Sequence, residues 1–212
     1  MVTTRTPTHP SHRRRTIRVQ GYDYSQAGAY FITICTRDRE CLWGEVVNGT
    51  VQLNKTGRLV ESVWLHTATV RPEIELDAYV VMPNHFHAVL FIHESPGVPG
   101  ATHRVAPTIN HAAAAGTTRR PTGPKPRSVG AVMGQFKSLV TKRLNAMQHM
   151  GGSVWQRNYY EHVIRDEESL NRIREYIATN AQRWDSDREN LQAAGKDAFD
   201  DWLSTFKGSP GN

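Results

Sequence analysis

The run YVVMPNHFHAVLFI, residues 79–92, narrows what this chain can become more than any other stretch. Its β-branched and aromatic residues read as strand, and Pro83-Asn84 interrupts them, so two strand segments joined by a bulge or kink are expected. Two imidazoles sit inside this apolar run. Side chains alternate along a strand, so His85 and His87 face the same side, about 6.5 to 7 Å apart along the backbone. Such a pair can grip one metal ion, or it can be two satisfied histidines at the edge of a sheet. The spacing alone does not separate these readings. Two ligands are too few for a metal, so the chain must offer a third elsewhere.

The helix-forming stretch EESLNRIREYIATN is the place to look. Asp166 or Glu167 opens it, and it is expected to run to about Asn180, with Leu170, Ile173 and Ile177 facing the core. Tyr176 and Asn180 stand at i and i+4 beside that stripe, which puts a phenol and a carboxamide on one ridge. A metal held by His85, His87 and the carbonyl oxygen of Asn180 can polarise a scissile phosphate while Tyr176 attacks phosphorus. A phenol leaves more readily than an alkoxide, so the phosphotyrosine can be attacked again by a 3′-hydroxyl, and joining needs no ATP. Read alone, the helix also admits Tyr176 as a boundary tyrosine and Asn180 as a C-terminal cap. Tyr159 and Tyr160 are rival nucleophiles without a polar partner four residues on, and core packing or base stacking suits them better. Glu161, His162 and Asp166 read as surface polar residues ahead of the helix.

Around these elements, AYFITICT (29–36) reads as a strand, and Asn48-Gly49 between GEVV and TVQL as a two-residue hairpin turn. A helix over about 56–69 has Leu59, Val60, Val63, Trp64 and Thr67 on one face and is ended by Pro72. A second, capped by Ser128, carries Val129, Val132, Phe136, Leu139, Val140 and Leu144 and ends near HMGG. SVWQRNYYEHVI reads as a short strand, and a weaker helix is expected over about 197–206. Such alternation favours an α+β sandwich, an antiparallel sheet with helices on one face and the other face free to hold a substrate. Residues 1–17 are expected to form a basic flexible arm, 18–184 the main domain with a Pro/Gly-rich insert at 94–127, and 185–212 a helical tail.

The partner is expected to be a polyanion, because the formal net charge is +6 and Arg5, Arg13, Arg14, Arg15 and Arg18 all precede the first acidic residue, Asp23. A second basic set runs from Arg119 to Arg143, and within it Lys137 is a candidate phosphate contact. Cys35 and Cys41 are too few for a disulfide scaffold or a four-thiolate zinc site. No apolar run approaches the roughly 18 residues of a membrane span, and the N-terminus lacks the apolar core of a signal peptide. A cytoplasmic protein with no membrane partner is expected, associated with the nucleoid when bound to DNA.

Three blocks in order carry a resemblance: YVVMPNHFHAVLFI, VGAVMGQFKSLVTKRLNA and VWQRNYYEHVIRDEESLNRIREYIATN. Over about 18–184 the chain resembles the single-tyrosine HUH transposases, most closely the REP-associated tyrosine transposases, which act on single-stranded DNA hairpins. The resemblance implies a ferredoxin-like domain with the histidines at the centre of its sheet. It implies His85, His87 and Asn180 as ligands of Mg²⁺ or Mn²⁺ and Tyr176 as the nucleophile that forms a 5′-phosphotyrosine. Arg13, Arg14, Arg15 and Lys137 are the candidate DNA contacts. Two departures stand out: Asn180 replaces the Gln of many relatives, and Ala181 follows it where the REP-associated branch often has Pro. Competing readings are a non-catalytic single-strand-binding module and an HUH replication or relaxase-type nickase. A monomer and a homodimer are both compatible, with Tyr176 acting on its own histidines or on a partner's.

Overall fold

The computed structural model describes residues 22–93, 123–148, 151–195 and 197–205, so Arg13, Arg14, Arg15 and most of the Pro/Gly-rich insert lie outside the described residues. In chain order the elements are β1 (Gly28–Cys35), β2 (Gly44–Val47), β3 (Thr50–Leu53), α1 (Lys55–Val70), β4 (Ile74–Val81), β5 (His85–Ile92), α2 (Val129–Gln148), β6 (Tyr160–Ile164), α3 (Glu167–Thr179) and α4 (Ala198–Thr205). With the β2–β3 hairpin set aside, the order β-α-β-β-α-β is the ferredoxin-like pattern. The four-stranded sheet has the order β4-β5-β1-β6 and is antiparallel throughout. Its two central strands, β1 and β5, are buried along their whole length.

Local chemistry accounts for most boundaries. Asn48 (φ 50°) and Gly49 (φ 72°) both take positive φ, as the expected tight turn between β2 and β3 demands. Asn54 starts α1 one residue earlier than expected: its Oδ1 accepts from the backbone N–H groups of Thr56 (2.9 Å) and Gly57 (3.0 Å). Ser128 caps α2 as expected, its Oγ accepting from the N–H of Ala131 at 3.2 Å. Asp166 opens α3 by accepting from the N–H of Ser169 at 2.6 Å.

The run at 79–92 folds differently from the kinked strand expected. It is a hairpin, in which Val81 pairs with Phe86 and the N–H of Met82 donates to the carbonyl of His85 at 2.9 Å. Pro83 has no N–H with which to continue a ladder, and the carbonyls of Pro83 and Asn84 accept from the N–H groups of Trp43 and Thr36. The ladder's irregularity lies instead between Leu76 and Tyr79. β4 begins at Ile74, in the charged stretch IELDA that did not read as strand, and it is a half-exposed edge.

One sheet face is covered by α1 and α2, as the sandwich requires. Trp64 is fully buried there, 5.0 Å from Phe86 and 5.3 Å from Phe136 between ring centroids. Trp64→Ala is expected to cost about 3–5 kcal/mol, read as a lower urea midpoint at unchanged slope. The opposite face is not left free for a substrate. Phe31, Val89 and Phe91 make it apolar, and Leu170, Ile173 and Ile177 of α3 with Phe199 and Leu203 of α4 cover it. The segment expected as a tail, 185–212, thus supplies α4 and the buried side chains of Asp187 and Glu189 to the domain. Among the described residues no helix is long and apolar enough to cross a membrane.

Glu161 is buried at 2% exposure, not a surface residue, because its strand pairs it with Ile32 in the middle of β1. His162, opposite Phe31, is pushed down to about 4 by burial, with Arg165 adding to the effect and Asp166 opposing it. In the unfolded chain it titrates near 6.5. It therefore favours the folded state fully above that value, and the contribution is lost as pH falls from about 6.5 towards 4, at most about 3 kcal/mol. Urea midpoints measured between pH 7 and pH 4 should fall more steeply for the wild type than for His162→Gln.

Candidate active site

His85 and His87 project from the central strand β5 towards the α3 side of the sheet, at the end where that face turns polar. Thr33 lies opposite His87 in the β1–β5 register, with its Oγ1 2.8 Å from His87 Nδ1. The His85 tautomer follows from Asn84. The Asn84 Nδ2 donates to the carbonyls of Glu189 (2.7 Å) and Arg39 (3.2 Å), so its Oδ1, 2.9 Å from His85 Nδ1, is an acceptor. Nδ1 of His85 must carry the proton, and Nε2 of the neutral ring presents a lone pair. The two imidazole rings lie 4.5 Å apart.

That lone pair faces Asp187, a residue the sequence reading missed. Oδ2 of Asp187 is 3.7 Å from His85 Nε2, and neither side chain is exposed. It also accepts from Asn180 Nδ2 at 3.0 Å, while Oδ1 accepts from the N–H of Glu189 at 2.7 Å. One ligand atom from each of His85, His87 and Asp187 lies within 4.8 Å of the other two. Two acceptors facing one another in a buried site require a proton or a cation between them. A further sign is Asn180 Oδ1, buried and without a hydrogen-bond partner among the described residues. Two imidazoles, a carboxylate and an orphaned amide oxygen suit a divalent cation that accepts nitrogen and oxygen ligands.

The loop presenting Asp187 is pinned from below. Glu189, 1% exposed, pairs with Arg39 Nη2 at 3.0 Å and accepts from Cys35 Sγ at 3.3 Å. Cys35 is itself the register partner of His85. The position of Asp187 therefore depends on β1, on the turn before β5 and on its own loop together.

Tyr176, near the end of α3, brings its hydroxyl within 3.4 Å of His87 Nε2 of the same chain. Its ring stacks on Phe199 of α4 with centroids 3.6 Å apart, and the Arg183 guanidinium carbon lies 4.7 Å from the ring centroid. Arg183 also donates to the Tyr176 carbonyl at 3.2 Å and reaches Asp197 at 3.5 Å. Of the expected site residues, His85, His87, Tyr176 and Asn180 converge here. Lys137 does not: it lies on α2, across the sheet. Tyr160 sits 6.1 Å from Phe31 and Tyr159 packs against the α1–α2 core.

No family model matches the chain. It is 37% identical over 177 residues to an uncharacterized protein of Haemophilus influenzae, covering 84% of this chain and 93% of that one. Among solved structures it is similar to a REP-associated tyrosine transposase bound to a REP hairpin, with a TM-score of 0.50 and 17% identity. That match covers 78% of this chain and 73% of the other, a likeness of fold.

Proposed function

The chain belongs to the same family as the Haemophilus influenzae protein, and we propose that it is a REP-associated tyrosine transposase that cleaves and rejoins single-stranded DNA hairpins. The observation that carries the reading is the approach of the Tyr176 hydroxyl to His87, 3.4 Å away, beside the converging side chains of His85, Asp187 and Asn180. In cleavage the Tyr176 oxygen forms a bond to phosphorus as the bond from phosphorus to the 3′-oxygen breaks. The phenol gives up its proton, the departing strand takes one as its 3′-hydroxyl, and the remaining strand is held as a 5′-phosphotyrosine. Attack by another 3′-hydroxyl reverses the step and joins new ends.

His85, His87, Asp187 and Asn180 would hold the divalent cation, which when bound supplies charge to offset what builds on the phosphate oxygens. Thr33 and Asn84 orient the two imidazoles through their Nδ1 atoms, and cation binding at His87 Nε2 would require its Nδ1 to donate to the Thr33 hydroxyl. Arg183 lays its guanidinium against the Tyr176 ring and donates to the Tyr176 carbonyl, which helps hold the ring in place. Tyr176 is only 3% exposed and its ring is stacked on Phe199. Arg13, Arg14 and Arg15 would follow the phosphates outside the site.

The test is incubation of purified protein with labelled single-stranded hairpin DNA and Mn²⁺, followed by a denaturing gel. A protein-DNA band that survives denaturation is expected. Binding with no such band across several hairpins would instead favour a non-catalytic single-strand-binding module.

A further inference from the structure

On the α2 side of the sheet, away from the histidines, lies an open groove of about 490 Å³. Lys137, Ser138, Thr141 and Lys142 of α2 form one wall, and Ser153 and Trp155 the other. None of the lining residues carries a carboxylate. Gly152, also in the lining, has φ +123°, and Arg37 Nη2 comes to 3.9 Å from its Cβ position, so a third cation stands at the rim.

Two of the lining side chains are held in place. Lys137 is half-buried and gives one hydrogen bond, to the Gln156 carbonyl at 2.7 Å, out of the three its ammonium can make. Burial pulls it down to about 8, so it is still mostly protonated at neutral pH. Trp155 is 3% exposed, fixed by packing 5.1 Å from Trp43 and 6.0 Å from Phe136. Its indole N–H is buried without a hydrogen-bond partner among the described residues.

We propose that this groove binds a phosphate of a nucleic-acid strand, with Lys137 and Lys142 as the charged contacts and Trp155 as the packed wall beside them. The inference rests on the proposed function for the identity of the strand. The volume falls within the range of about 300–1,000 Å³ usual for organic ligands, larger than a lone phosphate needs and suited to a nucleotide. The groove is also joined to the candidate active site. The N–H of Gln156 donates to the carbonyl of Cys35, the partner of His85 in the sheet, at 2.9 Å. Thr36, bridged to Trp155, donates through Oγ1 to the carbonyl of Asn84 at 3.0 Å. A strand seated in the groove is thus anchored to the end of β1 that supports the histidines.

The experiment is a ¹H–¹⁵N titration of the full chain without metal, following the Trp155 indole resonance, assigned from Trp155→Phe. The probes are 5′-phosphorylated dithymidine and inorganic phosphate. The dinucleotide should move the Trp155 signal at a concentration at least tenfold lower than inorganic phosphate does, and Lys137→Met/Lys142→Met should weaken it at least tenfold. Because Lys137 is partly buried, Lys142→Glu, which is exposed, provides a second variant should the double one unfold. An unmoved Trp155 signal, equal response to inorganic phosphate, or binding unchanged in folded variants would each overturn the proposal. A Trp155 response in a protein that forms no covalent adduct would uphold the groove and sink the tyrosine chemistry; an adduct without the response would do the reverse.

Discussion

Tyr176→Phe is expected to reduce the covalent protein-DNA band to background, a loss on the order of 10³-fold or more, with DNA affinity within about twofold of the wild type, since a phosphate bound by other residues does not need the phenol oxygen. The reason for so large an effect is that, on the proposed mechanism, the variant lacks the oxygen that would bond to phosphorus. The structural cost is small: the ring keeps its stack on Phe199, and the 3.4 Å contact of the hydroxyl to His87 is lost, worth about 1 kcal/mol. Chemical denaturation of both proteins should therefore give closely similar midpoints. A band retained in the variant would move the nucleophile elsewhere. Tyr160, whose ring lies beside Phe31, would then be the next residue to replace.

Mn²⁺ is expected to raise the melting temperature of the wild type by about 5–10 °C at a hundredfold excess over its dissociation constant, from about 2.7 kcal/mol of mass-action stabilisation. His87→Ala and Asp187→Ala should each abolish the rise, and a chelator should reverse it in the wild type. The measurement needs no DNA, so it judges the metal site apart from the chemistry. Asp187→Ala carries its own cost: Asn180 Nδ2 and the N–H of Glu189 lose their acceptor, which should destabilise the metal-free protein by about 1–3 kcal/mol. The cluster has one competing account, in which a protonated His85 simply pairs with Asp187. Under that account Mn²⁺ would leave the melting temperature of the wild type unchanged.

His85, His87, Tyr176 and Asn180 were legible in the sequence because each sits in or at the end of a regular element, whose period fixes which way a side chain points. Asp187 was not. It follows a short 3-10 segment, Asn180–Ser186, and its direction is set by bonds to distant residues, so nothing local distinguishes it from the exposed Asp185. The same limit explains the hairpin at Pro83-Asn84. A proline in an apolar run signals an interruption, but bulge and reversal share that signal until the partner strand is known. The covered second face of the sheet did have a sequence signal. FITIC and HAVLFI are nearly continuous apolar runs, as expected of strands buried on both sides, and the tyrosine helix with α4 supplies the second cover.

The Asp187 loop is fastened at Glu189 to Cys35, 154 residues earlier, and to Asn84, 105 residues earlier. A ribosome adding about 5–20 residues per second leaves roughly 8 to 30 s between making Cys35 and making Glu189. Throughout that interval the nascent chain carries the histidine pair without its carboxylate, and the phenol joins late as well. The cluster is therefore complete only after nearly all of the described residues have been translated, and a copy that stops before Asp187 lacks its carboxylate.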